Sequence, residues 1–290
     1  MPPVRLPDVP LPLQLRQLDH DRLRRYREFL SFYEGSQWEG RARRGERRLT
    51  FNYARAVVDK VTSYLLGGHS VQVEALDGAD DEARARARRA ELALREVELA
   101  NATAQLDFET ELDCAILGDA AYKVTWDTEG PSGPGTIRIS APDVQGIYAW
   151  REPGDQSRIV AVASQFDTDE EGSTPLGSAR IPASTVTEYW TATTFETWEG
   201  PNLVERGPNP YGFIPFVVFP NIREPKQPWG ASDIPPLVAS NRELNRAFSQ
   251  LSQILELSGN PIAVIEGVTG SRDIAVEPGA IWEVPEKARA

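Results

Sequence analysis

The sequence has very few of the side chains that bind metals or form disulfide bonds. Its 290 residues include one cysteine, Cys114, and two histidines, His20 and His69. A structural zinc site needs four ligands, mostly cysteine and histidine, and a disulfide needs two cysteines. We therefore predict no metal site, no cofactor and no intrachain disulfide. Such low cysteine usage is typical of cytoplasmic proteins.

Long apolar runs are also missing. The longest apolar stretch, Phe213–Phe219, is interrupted by Pro215, whereas a helix that spans a membrane needs about 20 apolar residues. The first residues lack both the basic start and the continuous apolar segment of a signal peptide. We therefore predict neither a membrane partner nor secretion.

The signatures of common enzymes are absent as well. The chain has four lysines, Lys60, Lys123, Lys226 and Lys287, and none follows a glycine, which excludes the phosphate-binding loop of P-loop ATPases. No G-x-S-x-G motif of serine hydrolases occurs. The acidic run from Asp167 does not complete a calcium loop, because Ser178 stands where a glutamate is required. We therefore predict no catalytic residues and no enzyme.

Charge is unevenly distributed along the chain. There are 31 basic and 43 acidic residues, a net charge of −12. Residues 1–50 carry 11 Arg against 7 acids, or +4, and the remainder carries 20 basic against 36 acidic residues, or −16. An acidic body opposes tight, general DNA binding, which depends on Lys and Arg contacts to phosphates. The arginines of one basic loop either contact an acidic partner or are simply solvated; they are Arg41, Arg43, Arg44, Arg47 and Arg48.

Hydrophobic periodicity predicts a helical first part. Residues 1–18 are rich in proline and are predicted to form a flexible arm. Predicted helices cover 19–35, 52–66 and 80–117, the last with a break at 101–103, and predicted strands cover 70–76 and 121–126. In the second helix we expect a buried stripe of Val57, Val58, Val61, Tyr64 and Leu65.

The region 130–225 has a different pattern, in which Gly and Pro separate short β-like runs. This pattern predicts an antiparallel sheet with many loops, and therefore an α+β fold. The predicted strands are 136–140, 159–166, 184–190, 194–198 and 213–219.

A long helix is predicted from Ser232 to Ser258, with Pro235 and Pro236 confined to its first turn. Apolar residues and one asparagine recur along it at alternating spacings of four and three, as in the seam of a coiled coil. We call these residues the seam; they are Leu237, Asn241, Leu244, Phe248, Leu251 and Leu255. The alternative is a core helix of a monomeric domain. Two more strands, 262–266 and 280–285, follow and are predicted to form a hairpin.

The order of these elements resembles the portal proteins of tailed double-stranded DNA phages and prophages. Each matching motif is short, but their order and spacing extend over residues 26–285. The motifs are Tyr33-Glu34-Gly35 with Trp38; Asn52-Tyr53 and Tyr64-Leu65-Leu66-Gly67; Gly118-Asp119-Ala120-Ala121-Tyr122; the run 209–217 with Pro220-Asn221; Trp229-Gly230-Ala231-Ser232-Asp233-Ile234; Leu244-Asn245, Ser249 and Gly259-Asn260-Pro261; and Pro278-Gly279-Ala280-Ile281-Trp282.

The resemblance implies a structural protein with a wing (19–228), a stem helix (229–259) and the first part of a clip (260–290). The clip would begin with Asn260, Pro261 and Ile262 and include Trp282. The family also implies a homo-oligomeric ring, commonly a dodecamer, at one capsid vertex. DNA passes through this passive channel during packaging and ejection. The implied partners are the large terminase subunit, capsid or scaffold proteins, head–tail connectors and double-stranded DNA in transit, first in the host cytoplasm and then in the virion.

The chain departs from this family pattern after the clip, because the second stem helix, tunnel helix and crown are missing. We therefore expect a truncated product or a fragment whose seam is partly exposed. The acidic body suits a channel wall that does not grip phosphates. Two alternatives remain open: another head or connector protein, and a hydrolase whose two carboxylates lie about 5–10 Å apart beside exposed tryptophans.

Overall fold

The computed structural model describes residues 9–15, 17–44, 46–66, 71–78, 80–128, 135–168, 184–225, 227–259, 263–266 and 281–284, the last two ranges as backbone only. The chain forms two compact units. The first comprises residues 1–34 and 55–235, and the second comprises residues 35–54 and 236–290.

Helices come first and strands later, with one long helix near the end. The helices are α1 (Leu11–Leu15), α2 (His20–Tyr33), α3 (Tyr53–Leu65), α4 (Asp81–Ala100), α5 (Thr103–Leu117) and α6 (Ile234–Gly259). The strands are β1 (Asp119–Asp127), β2 (Thr136–Ser140), β3 (Ile147–Glu152), β4 (Asp155–Thr168), β5 (Ser184–Thr191), β6 (Thr194–Glu199), β7 (Asn202–Pro208), β8 (Phe216–Pro220), β9 (Ala263–Glu266) and β10 (Ile281–Val284). The predicted α+β class is confirmed.

Two antiparallel sheets belong to the first unit. One has the order β2-β1-β8, and the other is a meander in the order β3-β4-β5-β6-β7. Strands β3 and β7 were not predicted, whereas the strand predicted at 70–76 is wrong, because residues 71–76 have no strand structure. The predicted break between α4 and α5 is confirmed, and Ala102 there has the left-handed φ of 47°.

Asn101, in this break, binds the outer edge of β2. Its Nδ2 donates to the carbonyl oxygen of Ile137 at 2.9 Å, and its Oδ1 accepts from the N–H of Ile139 at 2.8 Å. β2 is the last strand of its sheet, so these two groups have no neighbouring strand in the described sheet. The side-chain amide therefore makes the pair of hydrogen bonds that a residue of a neighbouring strand would otherwise make.

Residues 11–15 are a helix rather than part of a flexible arm, so the predicted arm 1–18 is corrected there. Leu15 is 0% exposed and Leu11 is 3% exposed. Both pack in a buried cluster with Tyr148, Ala161 and Tyr189 of the meander. Leu11 and Leu15 are thus core residues, whereas Leu13 between them is exposed, and burial of these two leucines stabilises the short helix.

The predicted buried stripe of α3 is also mostly wrong. Val58 is buried, but the other four residues are exposed in the chain; they are Val57, Val61, Tyr64 and Leu65. The buried face instead runs through Ala54, Val58 and Thr62 at intervals of four. Small and polar residues therefore mark the packed side of this helix, and its apolar side faces outward.

A buried arginine connects α2 to several other elements of the first unit. Arg22 donates to the carbonyl oxygen of Ile147 at 2.7 Å, and its guanidinium lies 3.8 Å from the ring centroid of Trp229. It also donates to the hydroxyl of Tyr26, which donates to Asp119 Oδ2 at 2.5 Å. These contacts offset part of the cost of burying the charge, although the buried Nε of Arg22 has no hydrogen-bond partner among the described residues.

Asp119 lies at the centre of this network. Its Oδ1 also accepts from the N–H of Gly230 at 2.8 Å. Burial raises the pKa of the Asp119 carboxyl above its ordinary value, although the hydrogen bonds from Tyr26 and Gly230 and the charge of Arg22 act in the opposite direction.

The motifs around Gly118 and Ser232 meet where α5 ends and α6 begins. Ser232 Oγ donates to the carbonyl oxygen of Ile116 at 2.5 Å and accepts from the N–H of Ile234 at 3.0 Å. One hydroxyl thus caps the end of one helix and the start of the next. Asp233 adds an N–H bond of 2.9 Å to the carbonyl oxygen of Ala115.

Two glycines permit this close approach. Gly118 has a left-handed φ of 101°, and a Cβ there would lie 2.9 Å from the backbone nitrogen of Ser232. A Cβ on Gly230 would lie 2.4 Å from the carbonyl oxygen of Gly118. Side chains at these positions would separate the two helix ends.

The last two described strands correct the predicted hairpin. β9 and β10 are paired in parallel, with Ile281 opposite Ala263. Hairpin strands are antiparallel because a tight turn reverses the chain, whereas parallel strands need a crossover connection. The predicted positions of the strands, 262–266 and 280–285, are close to those observed.

We predict that Asp119→Asn changes how stability depends on pH. Because the folded-state pKa is raised, the stability that Asp119 contributes is fully present below its unfolded pKa of about 4. It is lost as pH rises through the folded pKa. The unfolding free energy of the wild type minus that of Asp119→Asn should therefore fall with increasing pH in urea titrations from pH 4 to 8. A difference that does not change with pH would contradict this, and Asp21→Asn, on the exposed side of α2, is the control.

We predict that Gly118→Ala destabilises the chain more than Gly154→Ala does. Both glycines have a left-handed φ, 101° and 93°, so both alanines carry a similar backbone penalty of about 1–2 kcal/mol. Only Gly118 lacks space for a Cβ, whereas nothing lies within 4 Å of one at Gly154. In Gly118→Ala, overpacking should therefore lower the free energy of unfolding by a further amount of about 1–3 kcal/mol, measured by chemical denaturation. Equal losses of unfolding free energy in the two variants would contradict this, because they would show that the contact between the end of α5 and the start of α6 has room for a methyl group.

Candidate functional site

The second unit is built on a row of polar side chains that are buried along α6. Asn241, Asn245 and Ser249 recur every four residues and are 5%, 1% and 6% exposed. They face the segment 35–54, whose described residues contain no regular strand or helix before Tyr53. The predicted wing, 19–228, includes this segment, and the structure instead groups it with α6.

These side chains accept hydrogen bonds from the backbone of the segment. Asn241 Oδ1 accepts from the N–H of Ala54 at 3.1 Å, and Asn245 Oδ1 accepts from the N–H of Phe51 at 2.8 Å. Ser249 Oγ accepts from the N–H of Leu49 at 2.9 Å. A segment without secondary structure needs such partners, because a buried N–H without an acceptor is costly.

Gln37 completes the network from within the segment. It is 1% exposed, and its Oε1 accepts from the Nδ2 atoms of both Asn241 and Asn245, the latter at 2.6 Å. Its Nε2 donates to Asn52 Oδ1 at 2.7 Å. The amide oxygen of Gln37 thus uses both of its lone pairs, and three amides hold the segment in one register on α6.

The structure divides the predicted seam into two parts. Asn241 is buried and hydrogen-bonded to Ala54 of its own chain, and Leu237 and Leu244 are half-buried. Phe248, Leu251 and Leu255 are 37%, 48% and 63% exposed, and Ile254 beside them is 58% exposed. We call these last four residues the exposed seam. One side of Phe248 contacts Phe51, with ring centroids 4.8 Å apart.

Arg48 has an internal role in the predicted basic loop. Its guanidinium donates to the carbonyl oxygens of Gly40 and Arg41 at 2.9 and 3.0 Å, lies over Trp38 and pairs with Glu46 at 3.0 Å. The hydrogen bond from Arg48, together with one from the Arg43 backbone N–H, lowers the pKa of the Glu46 carboxyl. Arg48 therefore holds the loop in shape.

The other loop arginines are exposed. Arg47 pairs with Glu256 of α6 at 2.9 Å, and Arg41, Arg43 and Arg44 lie at the surface. Four of the five predicted arginines line a cleft of about 510 Å³ between the loop and α6, and Arg44 does not. The lining residues are Trp38, Glu39, Arg41, Arg43, Glu46, Arg47, Arg48, Arg246, Ser249, Gln250 and Gln253.

The predicted start of the clip is mostly outside the described residues. Asn260, Pro261 and Ile262 belong to the undescribed part, and Trp282 is described only as a backbone position in β10. Their roles stay predictions.

The described residues contain little that suggests catalysis. Cys114 is 1% exposed, and burial, with nearby carboxylates, raises the pKa of its thiol, so it is no activated nucleophile. Across the described ranges, no group of three or more His, Cys, Asp or Glu residues is placed to hold a metal ion. Trp190 stacks on Phe195 with centroids 5.1 Å apart, and Trp229 covers Arg22, as packing residues do.

No described helix combines the length and apolar character that a membrane crossing requires.

The comparison with known families agrees with this architecture. The sequence model of the phage portal protein family, SPP1 Gp6-like, matches residues 15–283, which is nearly the whole chain. The chain therefore belongs to the phage portal proteins, a structural and non-enzymatic family of virion components. No individual curated protein matches the chain. The family and the absence of enzymatic activity were both predicted from the sequence.

The sequence interpretation missed two residues of the buried network, Gln37 and Phe51, and it named Asn245 and Ser249 only as family motif residues, with no role in packing. One signal was available, because Asn241, Asn245 and Ser249 lie on a single helix face at intervals of four. A polar stripe on an otherwise amphipathic helix indicates a partner that offers backbone groups. The emphasis on apolar spacing concealed it.

We predict that Asn245→Ala destabilises the second unit, whereas Gln250→Ala, an exposed change on the same helix, does not. The alanine leaves the N–H of Phe51 without its acceptor and removes one donor to Gln37. Each buried group left unpaired should lower the free energy of unfolding by about 1–3 kcal/mol. The rate of amide hydrogen exchange at Phe51 should rise at least tenfold in Asn245→Ala and stay unchanged in Gln250→Ala. Unchanged protection of Phe51 would mean that another acceptor replaces Asn245.

Proposed function

We propose that the chain acts as a subunit of a portal ring at one capsid vertex. In this role it forms a passive channel for DNA packaging and ejection, with 19–34 and 55–228 in the wing, α6 in the stem and the strands after it in the clip. The observation that carries the proposal is the exposed seam. Four large apolar side chains on one helix face, each 37% or more exposed, are a typical docking surface.

The seam favours contact between copies of this chain. A face that is apolar at intervals of three and four residues fits a different apolar helix face on a neighbouring copy. Repeated head-to-tail contact closes into a ring when the rotation between copies is suitable. The family membership supports this assembly over another connector role, and it supports the large terminase subunit, capsid or scaffold proteins and head–tail connectors as partners.

The charge distribution supports a channel that does not grip DNA. The part of the chain after residue 50 carries −16, and repulsion from phosphates keeps contacts with a moving duplex weak. Assembly would take place in the host cytoplasm before the subunit becomes part of the virion.

We expect the purified protein to form rings visible by electron microscopy, with mass photometry giving the subunit number. Leu251→Asp with Leu255→Asp should raise the dissociation constant of the assembly at least tenfold, because it places charges in an apolar contact. Ala239→Asp, exposed on another face of α6, should have little effect. The rings should not retain duplex DNA at about 150 mM salt, where weak phosphate contacts are largely screened.

A wild type that stays monomeric at high concentration would overturn the ring. Rings that survive the double substitution would assign the contact to another surface.

A further inference from the structure

We propose that the basic cleft of one copy receives the acidic face of α5 from a second copy. The inference rests on the proposed ring and goes further, because it names the two surfaces that alternate around it. The basic surface is the cleft between the 35–54 segment and α6, and the acidic surface is formed by Glu109, Asp113 and Asp143.

The cleft is a built site whose walls are fixed from within the chain. Arg48 ties the loop to itself through two carbonyl oxygens and Glu46, and Ser249 is held by Leu49 and Asn245. Arg47 pairs with Glu256, and Arg246 pairs with Glu243 at 2.8 Å. These contacts fix the shape of the cleft without filling it.

Arg41 and Arg43 remain exposed at the cleft, and their guanidinium groups are the cations best placed for an incoming partner. A guanidinium binds a carboxylate through two parallel N–H donors, which gives direction as well as attraction. The neighbouring Gln250 and Gln253 side chains, also in the lining, can both donate and accept at the edge of such a contact.

The face of α5 offers carboxylates at a suitable spacing. Glu109 and Asp113 are four residues apart and both exposed, so they lie on one side of the helix. Asp143 is near Asp113 and is held in its loop by the N–H of Gln145 at 2.9 Å. Like charges at this spacing repel one another.

The surroundings of Asp113 leave this repulsion uncompensated. Although the residue is accessible at the surface, the protein packed around its carboxyl raises the pKa of that group, and the charges of Asp143 and Glu109 raise it further. Among the described groups that shift it, none is basic. A cation brought by a partner would relieve the repulsion, and a cleft lined by arginines supplies that cation.

A second copy suits the cleft better than a DNA backbone does. Glu39 and Glu46 form part of the wall, so the lining is mixed in charge and is not the continuously basic track that a phosphate backbone uses. A short row of separate carboxylates can avoid these two positions. A head-to-tail ring also requires two different, complementary surfaces on every copy, and this chain carries both.

Charge reversal tests the pairing. Arg41→Glu with Arg43→Glu alters the cleft, and Glu109→Arg with Asp113→Arg alters α5. Each pair alone should raise the dissociation constant of the assembly at least tenfold at low salt, measured by mass photometry and sedimentation. A chain that carries all four substitutions should recover most of the lost affinity, because the charges are then exchanged. This recovery also excludes simple misfolding as the cause of the loss.

Matched controls separate this contact from general charge effects. Arg44→Glu changes the same loop outside the cleft, and Glu205→Arg changes an exposed residue of β7, so neither should weaken assembly. Rings that form normally in both reversed pairs, or a fourfold variant that recovers nothing, would overturn the pairing and leave the ring standing.

Two further outcomes also decide the matter. A monomeric wild type would overturn the ring and this interface together. If Arg41→Glu with Arg43→Glu abolishes binding of a short DNA duplex at low salt without affecting assembly, the cleft is a phosphate site and the pairing is wrong.

Discussion

The second unit depends on backbone N–H groups that have no partner within their own segment. The described residues of the segment 35–54 form no sheet that could bind the N–H groups of Leu49, Phe51 and Ala54, and these groups instead point at α6. Asn241, Asn245 and Ser249 accept all three. Once this row is in place, the loop lies along the helix, the cleft has two walls, and the rest of α6 is left with its apolar residues outward.

In the first unit, too, single polar side chains each bind two different elements. Ser232 serves two helix ends, and Asp119 binds a tyrosine hydroxyl and a glycine N–H at the same place. Both lie in short motifs that suggested the family, Gly118–Tyr122 and Trp229–Ile234. Those motifs are far apart in sequence, yet they form one joint. Their residue types follow from the geometry: small where backbones meet, and polar where helix ends need partners.

Much of the fold was predictable because local chemistry determines it. The break at Asn101, the end of α5 at Gly118 and the prolines in the first turn of α6 are local signals, and they were recognised correctly. The errors concern tertiary partners. Nothing near Leu11 and Leu15 indicates that a meander buries them, and the apolar face of α3 looks like a core face because periodicity does not identify what covers it. Parallel pairing of β9 and β10 depends on a crossover, which strand propensity does not record.

The candidate site was predictable only in part for the same reason. The apolar spacing of α6 indicated the seam, but the half that contains Asn241 turned out to bind its own chain. Arg48 looked like its neighbours in the basic loop, yet three contacts within the loop set it apart. Distinguishing a structural arginine from an accessible one requires the positions of carbonyl oxygens, which no single-sequence pattern contains.

The side chain of Asn101 has a consequence for how the protein behaves at high concentration. An outer strand with free N–H and carbonyl groups is a template onto which another chain can add, and such addition begins aggregation. By pairing with Ile137 and Ile139, Asn101 occupies one carbonyl and one N–H group that a foreign strand would need. A single amide in a helix break thus blocks part of the sheet edge against the addition of a foreign strand.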